Sequence, residues 1–303
     1  MDVLYRGTAL NGNVRIFCCR TTELVQEATT RHDLWPTASA ALGRLLSVGC
    51  MMGSMLKDIH EKIEIKMDGK GQLGQMVVDA YYDGSVRGFV TNPHVQIEKN
   101  PTKLDVGKAV GTDGTITVVK DLSMKQPFIS EVDIQTGEIG EDFAYYYAYS
   151  EQTPSAVSVG VLVDTDRSIK AAGGLIIQMM PSATETDVQI VEDRVSHLKP
   201  ISQIITEMND PKEIVESIFP DYEELETRKL RFKCECNKGK FARILAKLPR
   251  ADLQTMLEED HGCEVVCKFC NTKYEFSEET LQGYVYAATE REKKAASKKE
   301  LIN

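Results

Sequence analysis

Hydrophobic residues recur at two different periods along the chain, and the points where the period changes outline its elements. Ile63, Ile65 and Met67 alternate with polar neighbours, as a half-buried strand requires. Leu4–Leu10 and Val14–Cys19 flank Asn11-Gly12, and Met76–Tyr82 and Ser85–Val90 flank Asp83-Gly84. Both dipeptides tolerate the positive φ of hairpin turns. Thr115–Val119, Phe128–Ile134, Ala156–Val163 and Leu175–Met180 extend the strand set. A short helix is expected over Glu23–Arg31, with Thr21 and Thr22 placed to cap it, and another over Gly140–Tyr149. Ala38–Leu56 differs from all of these, being apolar almost throughout. Its small residues, Ala38, Ala40, Ala41, Gly43, Gly49 and Gly53, allow close approach from several sides. It is expected as a central helix covered on more than one face. Arg44 and the many small residues make it a poor membrane span.

Beyond Pro181 the pattern shortens. Asp187–Leu198, Ile201–Met208 and Pro211–Phe219 read as amphipathic helices separated by Pro200, Pro211 and Pro220. Ile201, Ile204, Ile205 and Met208 share one face, and Ile214, Val215, Ile218 and Phe219 another. Helices this short are not stable alone and need a surface to dock on. The acidic run 221–226 closes the region. The periods predict an α+β protein in three parts. These are a strand-rich N-terminal core domain over 1–181, a metastable helical linker over 182–230 and a small C-terminal module over 231–303.

Charge narrows the function classes. The chain has 46 acidic and 36 basic residues, a net charge of −10. An acidic balance favours solubility and repels phosphate backbones, and the basic footprint of a nucleic-acid binder is missing. Met1–Arg6 lacks the charged start and apolar run of a signal peptide, so a cytoplasmic chain with no membrane partner is expected. In that compartment thiols stay reduced, and eight cysteines suggest metal or redox chemistry rather than structural disulfides.

Five of those cysteines lie in the last module. Cys234-Glu235-Cys236 is followed, after 30 intervening residues, by Cys267-Lys268-Phe269-Cys270. Two such pairs can supply a tetrahedral all-thiolate shell, which among divalent metals suits zinc best. One zinc ion is therefore the expected cofactor, with Cys234, Cys236, Cys267 and Cys270 as its ligands. A shell of four protein ligands leaves no open position for water, so no enzyme activity is expected at the metal. Cys263 and His261 are the possible substitutes, but Cys263 has no second cysteine at knuckle spacing on its N-terminal side. Cys18, Cys19 and Cys50 are expected as core, the adjacent pair facing opposite sides of a strand. A passive zinc staple is the plainest role for the site. A second role follows from magnitude. Structural zinc contributes about 10–16 kcal/mol of apparent binding energy. A whole domain is stable by only about 5–15 kcal/mol. Losing the metal should unfold the module, and the linker would then expose its apolar faces and whatever they cover. Exposed apolar surface is what a holding chaperone needs.

Other signals carry less. Ser150-Glu151-Gln152 has no identifiable base, and His32, His60, His94 and His197 are scattered. Gly173-Gly174 lacks the spacing and the lysine of a phosphate loop. Met51, Met52, Met55, Met179 and Met180 read as core residues or as adaptable surface. Two other function classes remain. Arg228-Lys229-Leu230-Arg231-Phe232-Lys233 beside the zinc pairs would suit a zinc-dependent nucleic-acid-binding or translation-associated module. Cys267-Lys268-Phe269-Cys270 would suit a thiol oxidoreductase.

The chain resembles the redox-regulated bacterial heat-shock chaperones of the 33 kDa chaperonin family. The resemblance rests on both cysteine pairs together with four further segments. These are Trp35-Pro36-Thr37-Ala38-Ser39-Ala40-Ala41, Gly137-Glu138-Ile139, Tyr149-Ser150-Glu151-Gln152-Thr153-Pro154-Ser155-Ala156 and Ala171-Ala172-Gly173-Gly174-Leu175-Ile176-Ile177-Gln178. It spans nearly the whole chain. It implies a buried helix between two sheets, and a reduced form that is zinc-bound and inactive. On oxidation it implies Cys234–Cys236 and Cys267–Cys270 disulfides, zinc release, an unfolded linker and often a homodimer. The oxidised form would hold unfolding or oxidatively damaged client proteins without ATP and pass them to ATP-driven refolding chaperones. Cys263 departs from the four-cysteine pattern and leaves a mixed disulfide open.

Overall fold

The structure, a computed structural model, describes residues 1–100 and 103–300, apart from the side chains of 295–300. It divides into two compact units, Met1–Lys233 and Cys234–Asn303.

In the first unit, strands β1 (Val3–Ala9) and β2 (Val14–Arg20) lead to helices α1 (Thr22–His32) and α2 (Pro36–Gly53). Next come β3 (Lys62–Asp68), β4 (Met76–Tyr81) and β5 (Ser85–Val90), then the short pair β6 (Glu98–Asn100) and β7 (Lys103–Leu104) and the helical turn α3 (Val106–Val110). β8 (Thr115–Asp121) and β9 (Phe128–Asp133) precede α4 (Ile139–Tyr149), and β10 (Ser155–Val163) pairs with β11 (Ile169–Met179). Helices α5 (Glu185–Ser196), α6 (Ile201–Met208) and α7 (Pro211–Ile218) follow, with β12 (Glu223–Lys229) and β13 (Arg231–Phe232) closing the unit. The strands form two large sheets. Sheet A runs β10-β11-β2-β1-β12, and sheet B runs β13-β5-β4-β3-β8-β9.

Helix α2 lies between the sheets and touches strands of both. All but two of its residues, Pro36 and Arg44, are buried. Glycines make this possible. A Cβ on Gly43 would sit 2.9 Å from Val161 of sheet A, and one on Gly49 would sit 2.7 Å from Val78 of sheet B. The buried helix between two sheets that the resemblance implies is thus present.

Sheet A has a second face to cover, and α5–α7 cover it. Val14, Ile16, Cys18, Leu175 and Ile177 pack there against Ile201, Ile204, Ile205, Ile214, Val215, Ile218 and Phe219. Both helix faces expected from periodicity point inward, except that Met208 stays 38% exposed at the end of α6. Polar side chains fix the entries of α5 and α7, whereas α6 starts at Pro200 without a side-chain cap. Thr184 and Asp187 form a capping box on α5, and Asp210 accepts from the Lys212 amide on α7.

Three local expectations are corrected. Neither Thr21 nor Thr22 caps α1; Thr21 hydrogen-bonds Ser47 at 2.8 Å and Thr22 turns to strand β11. The carboxylate of buried Asp2 takes over, accepting from the Leu24 amide at 2.7 Å and from Arg20 at 3.2 Å. The turn of the first hairpin is longer than two residues, with Leu10, Asn11 and Gly12 all at positive φ. The acidic run 221–226 does not simply trail off the helices. It enters β12, an edge strand pairing antiparallel with β1, while β13 pairs parallel with β5. A charged edge strand lacks the alternation that marks a half-buried one, so period alone misses it.

Basic residues near this crossing are engaged. The Arg228 guanidinium, 9% exposed, bonds the Tyr82 carbonyl, the Gly53 carbonyl at the end of α2 and the Glu226 carboxylate, and it lies 4.5 Å over the Tyr82 ring. Arg231 pairs with Asp83.

The mid-strand glycine Gly173 gives a test of how tightly α6 seats. A Cβ there would meet the Cys19 carbonyl oxygen at 2.1 Å and Ile205 Cδ1 at 2.5 Å. Gly173→Ala is expected to lower stability by about 1–3 kcal/mol and to increase proteolysis around α6. Urea unfolding and limited proteolysis that match the unsubstituted protein would show that the seat is loose.

Candidate metal centre

The second unit is small. It contains α8 (Lys238–Leu245), α9 (Arg250–Asp260), the hairpin β14 (Gly262–Val266) and β15 (Lys273–Ser277), and α10 (Glu278–Glu300). Its apolar cluster has Leu253, Leu281 and Ala288 at the centre, with Met256, Cys263, Tyr284 and others partly buried around them. About 70 residues with so thin a core are short of stability without a staple.

The cysteines sit where backbone geometry aims them inward. The Cys267-Lys268-Phe269-Cys270 knuckle is the hairpin turn itself. The Cys267 amide donates to the Thr272 carbonyl at 2.9 Å and closes the hairpin. The amides of Cys270 and Asn271 both donate back to the Cys267 carbonyl, at 3.3 and 2.7 Å. Asn271 takes a positive φ of 57°, which asparagine tolerates better than most residues. The other pair lies in the extended segment just ahead of α8, whose N-cap Asn237 accepts from the Lys240 amide at 2.9 Å.

The four Sγ atoms of Cys234, Cys236, Cys267 and Cys270 all lie within 4.8 Å of one another. Cys234 and Cys267 approach to 3.8 Å, and Cys236 and Cys270 to 3.3 Å. Cys267 and Cys270 are buried, and the first pair is half-buried. No disulfide is formed among the described residues. Sequence reasoning therefore named all four residues that converge. It did not anticipate the hydroxyls beside them: Tyr274 on Cys236 at 3.1 Å and Thr272 on Cys270 at 3.2 Å.

The thiols share an electrostatic problem. Burial pushes Cys267 up to about 12, only partly opposed by the Phe269 backbone amide. Burial opposes the Cys270 thiolate too, but hydrogen bonds from the Thr272 hydroxyl and amide and from neighbouring thiols bring it down to about 7. Four sulfurs this close cannot all ionise unaided, because like charges repel. A divalent cation among them resolves the conflict, and an all-sulfur tetrahedral set suits zinc. The donor set thus fits a metal ion.

Cys263 stands apart. It pairs across the hairpin with Phe276 and packs against the small apolar cluster, outside the four-sulfur group. Cys18, Cys19 and Cys50 are buried in the first unit. Cys18 faces α5–α7 and Cys19 faces Ser47 of α2, and burial raises all three thiols. Ser150-Glu151-Gln152 is structural as well. The Glu151 carboxylate accepts from Lys120 and from the Tyr146 hydroxyl, both at 2.6 Å. No helix among the described residues is long and apolar enough to cross a membrane.

Known proteins resemble this chain over most of its length. A model of the Hsp33 protein family matches residues 2–277. The 33 kDa chaperonin of Bacillus velezensis is 46% identical over 286 residues, covering 93% of this chain and 97% of that protein. The 33 kDa chaperonin of Staphylococcus carnosus is 46% identical over 287 residues, covering 94% and 97%. The crystal structure of the 33 kDa chaperonin from Thermotoga maritima superposes with a TM-score of 0.89 at 37% identity, covering 95% of this chain and 99% of that one.

Metal-free, reduced protein should take up a single cobalt(II) ion, with the visible bands of tetrahedral cobalt and the ultraviolet bands of thiolate ligation. Cys263→Ser should leave both unchanged, whereas Cys267→Ser should weaken uptake at least about tenfold. Equal uptake by the two variants would break the assignment of ligands.

Proposed function

The chain belongs to the Hsp33 family, and on that premise we propose that it is an ATP-independent holding chaperone switched on by oxidation of a four-cysteine zinc site. The observation that carries the proposal is the meeting of four sulfurs within 4.8 Å in a unit whose own apolar cluster is minimal. When bound there, zinc keeps the sulfurs as thiolates and supplies the folding energy that the core lacks. Thiolates are also the form that oxidants attack.

Each disulfide that forms surrenders two electrons to the oxidant and removes two ligands from the metal. The proposed pairs are Cys234–Cys236 and Cys267–Cys270. Both close loops too short to constrain the unfolded chain, so they do not replace the metal as a staple. Loss of about 10–16 kcal/mol of metal binding then outweighs what a unit of this size can hold in reserve. The stretch from α5 to β13 immediately precedes Cys234 in the chain. On this reading, disorder that begins at the cysteines reaches the linker over 182–230 next.

What the linker hides supports a chaperone role. Undocking α5–α7 exposes the apolar outer face of sheet A, centred on Ile16, Cys18, Leu175 and Ile177, together with the isoleucines of the helices. Unfolding proteins in the cytoplasm are the proposed clients, with ATP-driven refolding chaperones as recipients and a homodimer as the oxidised form. No catalytic step is part of the proposal. A nucleic-acid role has less support, since Arg228 and Arg231 of the basic stretch are bound to protein carbonyls and carboxylates.

Peroxide with mild heat, or hypochlorite, applied to zinc-loaded reduced protein is expected to release zinc and then suppress light scattering from a thermally aggregating client. Zinc release without client protection would leave the site a passive staple. Within the oxidation, Cys267–Cys270 should close before Cys234–Cys236. Residues two apart in an extended segment lie near the upper limit of disulfide reach, so the first pair needs a bend. Mass spectrometry of partly oxidised protein finding Cys234–Cys236 first would reverse that order.

A further inference from the structure

The first unit contains an apolar cavity of about 340 Å³ that the chaperone reading does not use. Its wall is made by Met52, Met55 and Leu56 at the end of α2, Ile63 of β3, and Leu122 and Met124 of the β8–β9 turn. The volume lies at the small end of the range for ligand pockets, about 300–1,000 Å³. It lies between the end of α2, sheet B and α4, open to solvent where Lys57 and Met124 are exposed, and not on the sheet A face that α5–α7 cover.

Two kinds of polar group converge on it. Tyr147 of α4 lines the cavity while being only 2% exposed, and its hydroxyl has as its partner the thioether sulfur of Met55, at 3.9 Å. A thioether is a weak acceptor, so a buried strong donor is left poorly satisfied at the wall. Burial raises the Tyr147 pKa far beyond its usual range, which keeps that hydroxyl a donor. Lys120 and Lys57 bring positive charge. The Lys120 ammonium uses one of its three donors on Glu151 at 2.6 Å, and Lys57 is exposed beside the opening. The one acid in the lining, Glu61, is turned to the backbone, with one carboxylate oxygen accepting from the Lys57 and Asp58 amides at 2.6 and 3.2 Å. Methionines give the apolar part an adaptable surface.

We propose that this cavity binds a small amphiphile with a carboxylate head and a single apolar chain, of the medium-chain fatty-acid class. The chain lies among the methionines, and the carboxylate accepts from Tyr147 and pairs with the lysines. The site is independent of the redox state of the cysteines and of the chaperone reading.

The test uses full-length, zinc-loaded, reduced protein with isotope-labelled methionine methyl groups and sodium decanoate as the probe. Decanoate is expected to give saturable shifts of the Met52, Met55 and Met124 methyls, and decyltrimethylammonium none. Tyr147→Phe, which keeps the ring, is expected to weaken decanoate at least about tenfold, as loss of a hydrogen bond to a charged group does. Lys57→Glu, at an exposed position where folding is not at stake, should weaken it as well. The proposal falls if decanoate gives no saturable shift, if the cationic amphiphile binds as well, or if both variants bind like the unsubstituted chain. It also falls if only an extended apolar peptide shifts these methyls, since the cavity would then be an anchor for clients.

Discussion

A sheet has two apolar faces when both are packed, and sheet A illustrates what that requires. One face rests on α2, which is itself buried and also supports sheet B. The other rests on three helices of 12, 8 and 8 residues, none long enough to persist by itself. Sheet and helices are therefore mutually dependent. The helices exist because Ile16, Leu175 and Ile177 give them a floor, and that floor stays dry because the helices remain. Burial of this apolar surface is the interaction on which the rest of the first unit depends.

The same reasoning explains why the chain can be both ordered and poised. Helices docked through a stripe of isoleucines, without long-range disulfides, draw their stability from tertiary contact alone. The second unit has even less to rely on. Its apolar cluster is thin, while four sulfurs gather at a hairpin turn and an extended segment. On the proposed function, its integrity is tied to chemistry at sulfur rather than to burial of hydrocarbon. The smaller part gathers four cysteines and the larger part covers an apolar sheet with short helices, in a chain of the Hsp33 family.

Charges show how tightly the first unit is assembled. Asp2 caps α1 from the start of the chain, and Arg228 reaches from β12 to the end of α2. Each is a buried ion held by several partners, which is the condition for burying one at all. The cavity beside Tyr147 is the exception, a place where a buried hydroxyl and two lysines meet apolar walls.

Much of this could be read along the chain because it depends on local order. Hairpins at Asn11-Gly12 and Asp83-Gly84, the α2 segment crowded with small residues, and the isoleucine faces of α6 and α7 all follow from period and turn chemistry. The four cysteines that converge were legible too, since their spacing is a property of sequence. Other features needed the fold. Strand β12 is charged and shows no alternation; it is a strand only because β1 offers it a free edge. The start of β11 was hidden by Gly173-Gly174, whose lack of side chains matters only once α6 presses on Gly173 and Met51 of α2 on Gly174. Cys263 is one residue from the start of β14 and four from a candidate ligand, and nothing in its spacing says that it turns to Leu253 rather than to the sulfurs. Sequence alone determined which residues have the chemistry, because that is a matter of side-chain type and local spacing. Tertiary structure decided which of them meet, because burial and pairing depend on partners far away in the chain.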